Sequence, residues 1–207
     1  MNGLKTLLLV LQVSVISAIT VVMSGQNANQ SEQQISTPGV QAGWKLSSLN
    51  SPMGDNSGIV LHAKQLSGEG VADPTEGTGL KIQCSKKKGL EVILRTNLLL
   101  RDSGTINDEK HRGELGGMFS KHRDARLSPV RVRFDQQKIH GEEWVMGSDS
   151  SNLFAQKPKA FVDDILKDQI NEVLLEARPT NGNPVVFKFD VTGLSDYKAK
   201  LHEACSY

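Results

Sequence analysis

Several short runs of the chain carry apolar residues at every second position, the period of a strand with one buried face. Leu80–Cys84 (LKIQC) places Leu80, Ile82 and Cys84 on one side, and Val130–Phe134 (VRVRF) does the same with Val130, Val132 and Phe134. Trp44–Leu49, Ile59–Gln65, Leu90–Leu94 and Val185–Asp190 read as further strands, and Trp144–Met146 belongs to another. The basic turn Lys86–Gly89 joins Leu80–Cys84 to Leu90–Leu94 as a hairpin. Ser51–Asn56, Ser67–Thr78 and Asn181–Pro184 carry the Gly, Pro and Asn content of turns and loops.

The period changes towards the C-terminus. Phe161, Ile165, Leu166, Gln169 and Ile170 recur at helical spacing, which predicts an amphipathic helix over Ala160–Val173 with Pro158 just ahead of it. Val173–Ala177 reads as a short strand. A last helix follows, capped by Thr192 or Ser195, with Leu194, Tyr197, Leu201 and Ala204 along one stripe. This order predicts an α+β domain: a mostly antiparallel sheet, or a sandwich, with two helices packed on it. Arg101–Ser128 is charged, contains Gly and keeps neither period. It reads as a long surface insertion, and a loop of that length is functional or disordered.

The N-terminus sets the compartment. Met1–Lys5 is short and basic, and Thr6–Met23 contains no charged residue. That is the layout of a secretory signal. The run is also near the roughly 17–25 residues that span a bilayer, so it is either removed on export or kept as an anchor. Ser24–Val40 is polar and reads as a tether. The chain thus divides into a signal peptide or anchor (1–28), a polar linker (29–43) and one exported domain (44–207) with its insertion at about 101–128.

Two cysteines, Cys84 and Cys205, are present. An even count in an exported chain predicts a disulfide. The formal net charge of +1 lacks the basic excess of a nucleic-acid binder, and the triplet Lys86-Lys87-Lys88 reads as a solvated turn.

Catalytic and metal constellations are not found. His62, His111, His122, His140 and His202 are scattered without metal-ligand spacing. Lys121-His122-Arg123-Asp124 has only a superficial likeness to a kinase catalytic loop, without that fold's other elements. The neighbouring acids Asp163-Asp164 and Glu142-Glu143 point apart rather than across a cleft. No Gly-x-Ser-x-Gly elbow or phosphate loop occurs. The expectation is a protein that is not an enzyme and carries no cofactor.

The ordered motifs nevertheless resemble a family. Trp44 precedes Ser51-Pro52-Met53-Gly54-Asp55-Asn56. Leu80–Cys84, the Val130–Asp135 stretch with Arg133, and Trp144 with Ser148-Asp149 follow. Phe189-Asp190-Val191-Thr192-Gly193-Leu194 and the ending Ala204-Cys205-Ser206-Tyr207 complete the series. In this order the motifs resemble the TagO-like (VasI) family associated with type VI secretion. Gly54, Gln83 and Tyr207 depart from that family's usual Asp, Arg and Trp. The resemblance implies a periplasmic accessory protein that contacts envelope partners, including secretion-machine components. The charge balance predicts no nucleic acid, and the N-terminal segment, if uncleaved, is the one expected membrane contact. A stand-alone envelope binding module, such as a cell-wall hydrolase inhibitor or a phage-derived exclusion factor, is the alternative.

Overall fold

A period-two run becomes a strand once neighbours take up its backbone hydrogen bonds, and here every named run finds them. The computed structural model describes residues 40–41, 43–49, 57–105, 125–205 and 207. The expected signal or anchor, the Ser51–Asn56 turn and residues 106–124 of the insertion lie outside the described residues. The strands are β1 (Val40–Gln41), β2 (Trp44–Leu49), β3 (Gly58–Leu66), β4 (Gly79–Ser85), β5 (Gly89–Arg95) and β6 (Gly104–Thr105). They continue with β7 (Arg126–Phe134), β8 (His140–Met146), β9 (Asn152–Phe154), β10 (Glu172–Ala177) and β11 (Val185–Asp190).

All of the pairings are antiparallel, and they close on themselves. The order β3–β11–β10–β7–β8–β9–β5–β4 returns to β3 through the β3–β4 ladder. β2 and β11 take successive stretches of β3: residues 58–63 pair with β2 and residues 64–66 with β11. A ring of eight strands leaves an interior about wide enough for side chains. Leu61, Leu80, Ile82, Leu94, Val132, Leu153, Leu175 and Phe189 supply one fully buried face. Closure pairs the ring strands on both sides, while β2 and β6 lie outside the ring as added strands.

Two helices pack on that inward face. Helix α1 (Pro158–Asp168) starts with Pro158 at its first position, where the fixed φ suits a helix and the missing N–H costs nothing. Its Phe161 ring meets Phe134 at 5.3 Å and Trp144 at 5.9 Å. Phe161, Val162 and Ile165 are buried. At about 1.5–3 kcal/mol for each large apolar side chain, this burial holds a helix too short to persist alone. A 3-10 turn (Leu194–Tyr197) leads into helix α2 (Lys198–Cys205), which packs on β3 and β4. Leu194, Tyr197 and Leu201 form the expected buried stripe. Cys84 of β4 and Cys205 of α2 are disulfide-bonded, with their Cα atoms 5.5 Å apart.

Four expectations are corrected. The first helix ends at Asp168 rather than at Val173. Gln169 turns left-handed (φ 51°), and its N–H bonds the Ile165 carbonyl. Beyond it the Asp135 carboxylate accepts the N–H groups of Asn171 (3.1 Å) and Glu172 (2.7 Å), which starts β10. Neither Thr192 nor Ser195 caps the last helix: Gly193 (φ 76°) holds the position before the 3-10 turn, and Thr192 Oγ1 donates to Asp190 instead. The insertion is shorter than expected, because Gly104–Thr105 pairs with Arg126–Leu127, and Arg126–Ser128 belongs to β7. Val40–Gln41, within the expected linker, pairs with Trp44–Lys45.

One strand position carries a measurable electrostatic cost. Glu91 lies on the outward face of β5 opposite Gln83, is 7% exposed, and its Oε1 has no hydrogen-bond partner among the described residues. Burial pushes its pKa up, opposed by Lys88. A carboxyl whose folded pKa lies above its unfolded value stabilises fully below the unfolded pKa. That contribution is lost as pH rises through the folded pKa. Glu91→Gln should therefore stabilise the protein at pH 7.5, and the gain should shrink as the pH falls into the acid range. Urea titrations at pH 7.5 and at acid pH check this. An equal gain at both would show that the charge is not the cause.

Candidate binding cleft

The C-terminal end of α1 and the turn after β11 approach each other because each contains a left-handed residue that folds the chain back sharply. Gln169 does this after α1, and Gly193 does it after β11, where glycine bears a positive φ without a Cβ penalty. Between them opens a cleft of about 450 Å³, within the usual size range of ligand sites. Ile165, Leu166, Ile170, Val191 and Leu194 supply its apolar lining. Gln169, Asn171, Thr192 and Ser195 supply amides and hydroxyls. No lining side chain is ionisable. Of the apolar residues only Leu166 is more than marginally exposed, so the cleft presents mainly neutral amides and hydroxyls over a buried apolar floor.

Sequence-distant groups hold one wall in place. The Trp44 indole Nε1 donates to the Val191 carbonyl at 3.1 Å, and Trp44 is 1% exposed. Asp190 Oδ1 accepts from Thr192 N (3.0 Å) and Thr192 Oγ1 (2.6 Å), tightening the turn. Gly43 sits against this turn: a Cβ there would lie 2.8 Å from both Asp190 Oδ1 and the Thr192 carbonyl oxygen. The Val191 N–H donates to the Asn171 carbonyl at 2.9 Å, tying the two walls together. Thus Trp44, Phe189, Asp190, Gly193 and Leu194, all singled out from the sequence, gather at one corner. Phe189 and Leu194 are core residues there.

The remaining singled-out residues that the structure describes lie elsewhere. Ser51, Pro52, Met53 and Asp55 fall outside the described residues. Arg133 stands opposite Leu174 on the outward face of β7, and its buried Nε has no hydrogen-bond partner among the described residues. Trp144 is fully buried, and its Nε1 donates to Glu142 Oε2 at 2.8 Å. Ser148 and Asp149 are exposed in the β8–β9 turn. Asp149 Oδ1 accepts from Ser151 N and Asn152 N, and Oδ2 accepts from Asn152 Nδ2 at 2.6 Å. A slight desolvation penalty is outweighed by these hydrogen bonds, so the Asp149 carboxyl sits below its ordinary pKa.

The polar groups that looked like candidate chemistry are engaged locally. Glu142 and Glu143 point to opposite faces of β8. Glu142 meets His140 Nε2 at 3.1 Å, and Glu143 accepts from Ser103 Oγ at 2.6 Å. Asp163 accepts from the Tyr207 hydroxyl and pairs with Lys159 at 3.2 Å. The Tyr207 hydrogen bond is the first cause of its lowered pKa. The same contact ties the C-terminal residue to α1. His111, His122 and the Lys121–Asp124 stretch fall outside the described residues. Among the described residues no group of three or more potential ligands could hold a metal ion. No described helix is long and apolar enough to cross a membrane.

The cleft itself was not found by reading the sequence. Asn171 belongs to no motif, Ser195 was expected only as a helix cap and Gln169 only as a helix position, and a non-glycine residue in a left-handed conformation leaves no periodic trace. The Asn171–Glu172 step that follows α1 depends on Asp135, 36 residues away. Compared with protein-family models, with curated proteins and with solved structures, the chain finds no match.

Proposed function

We propose that this chain is an exported envelope protein that works by binding another protein, as an accessory of a type VI secretion-like system. The observation that carries the binding reading is the cleft between α1 and the turn after β11, with its apolar lining and its neutral amides and hydroxyls. The Cys84–Cys205 disulfide supports export, because such bonds persist in oxidising compartments. The secretion assignment rests on the ordered motifs that resemble the TagO-like family. The gathering of Trp44, Phe189, Asp190, Gly193 and Leu194 beside the cleft gives those motifs a common structural task. Affinity capture of the tagged chain from cross-linked envelopes of its host tests the reading, and it predicts enrichment of secretion-machine components. The double variant Asn171→Arg/Ser195→Arg fills the cleft from two exposed positions and should lose that enrichment while keeping the fold.

A further inference from the structure

The last helix is held less by its own packing than by what lies at its two ends. Within α2 only Leu201 is fully buried, and Lys198, Ala199, Lys200, His202 and Glu203 are exposed. A helix this short with so little buried surface does not persist unaided. Three attachments hold it. Lys198 continues in helical conformation from the 3-10 turn, so α2 starts directly behind Leu194 and Ser195 of the cleft. The Tyr207 hydroxyl donates to Asp163 of α1, and Lys159 Nζ lies 4.6 Å over the Tyr207 ring. Between these two, Cys205 is bonded to Cys84 of β4. The last stretch of the chain thus runs from one cleft wall to the helix that forms the other, with the disulfide tying it to the sheet.

The two sulfurs differ in access. Cys84 is fully buried, and its strand keeps ladders to β3 and β5 on either side whatever the state of the bond. Cys205 is half-buried at the last residue of α2. Thiol–disulfide exchange needs a thiolate to reach one sulfur, and access helps decide which. An incoming thiolate therefore meets Cys205 Sγ first.

We propose that the Cys84–Cys205 bond is a redox latch on the cleft. The proposal rests on the cleft being the binding site and names the regulation of that site. The reductant is a protein dithiol. Its thiolate attacks Cys205 Sγ, the S–S bond breaks, and Cys84 leaves with the electron pair and takes up a proton. The reductant's second thiol, deprotonated, then attacks its own sulfur in the mixed disulfide and releases Cys205, which is protonated in turn. Both protons come from the dithiol, which ends as a disulfide, and the protein gains two electrons. The reduced α2 comes away from β4 and draws Leu194 and Ser195 with it, so the cleft loses part of one wall. Val191 stays in place, because Trp44 Nε1 holds its carbonyl and the Asn171 carbonyl accepts its N–H at 2.9 Å. Reoxidation restores the wall.

Amide hydrogen exchange of the full chain, with the bond intact and after dithiothreitol, tests the latch. It needs no partner, so its failure is distinct from failure of the binding reading. Exchange over residues 196–205, which include the Asp196 N–H bonded to the Gly193 carbonyl at 3.1 Å, should rise roughly 100-fold on reduction, as a docked helix becomes a fraying one. The Val191 N–H and strands β7 and β8 should exchange equally in both states. Brief exposure of the oxidised protein to glutathione, quenched with iodoacetamide, should place glutathione on Cys205 and the alkyl group on Cys84. Unchanged exchange over 196–205 in the reduced chain would overturn the proposal. Loss of protection in β7 and β8 together with α2 would also overturn it, because the bond would then hold the whole domain rather than a latch. Glutathione on Cys84 would overturn the assigned point of attack.

Discussion

Replacing both cysteines, Cys84→Ser with Cys205→Ser, should cost about 4–5 kcal/mol of stability in the chain-entropy account. The bond spans a sequence separation of 121 residues and so restricts most of the unfolded domain. It also fixes α2, whose eight residues are too few to persist as an isolated helix. Without the bond, α2 depends on its packing on β3, β4 and the 3-10 turn and on the Tyr207–Asp163 contact. Urea unfolding of the double variant, set beside the oxidised parent, measures the loss. A midpoint unchanged within error would mean that packing alone secures α2.

Trp44→Ala should be nearly as damaging. Trp44 is among the largest fully buried side chains, and truncating such a residue costs about 3–5 kcal/mol. Its loss also frees the Val191 carbonyl beside the cleft. Trp44→Phe separates the two contributions. It keeps most of the ring volume but deletes the indole donor, at about 1–3 kcal/mol if the carbonyl stays buried and unpaired. Thermal unfolding of both variants, with partner binding measured on whatever remains folded, checks the assignment. If Trp44→Phe equals the parent in stability and binding, the Val191 hydrogen bond does not shape the cleft wall.

The strands and the disulfide were legible in the sequence because their signals are local. Leu80, Ile82 and Cys84 alternate so cleanly that the inward face follows at once, and all three are fully buried. Val185–Asp190 and Trp44–Leu49 match their strands residue for residue. Ring closure was not legible, because it depends on which distant strands pair: β3 meets β4, β11 and β2. β9 was missed because three residues cannot establish a period. The extent of α1 was overestimated because the apolar spacing continues to Ile170, whereas the chain has already turned at Gln169. The cleft was hidden for the same kind of reason. Its walls come from segments around 165–171 and 191–195, and only tertiary contacts bring them together.

Five of the singled-out residues share one corner of the fold, but their roles were not legible. Trp44, Asp190 and Gly193 turn out to build a corner, Asp149 secures a turn, and Trp144 fills the core. Of the exposed polar groups at the cleft, Asn171 carried no sequence signature, and Gln169 and Ser195 carried only that of a helix position and a helix cap.

The most direct test of the central claim is envelope capture run side by side on the parent chain and on Asn171→Arg/Ser195→Arg, with recovered proteins identified by mass spectrometry. The account predicts secretion-machine components on the parent and their loss from the variant. Recovery of a cell-wall hydrolase in their place, or of no secretion component on the parent, would contradict it.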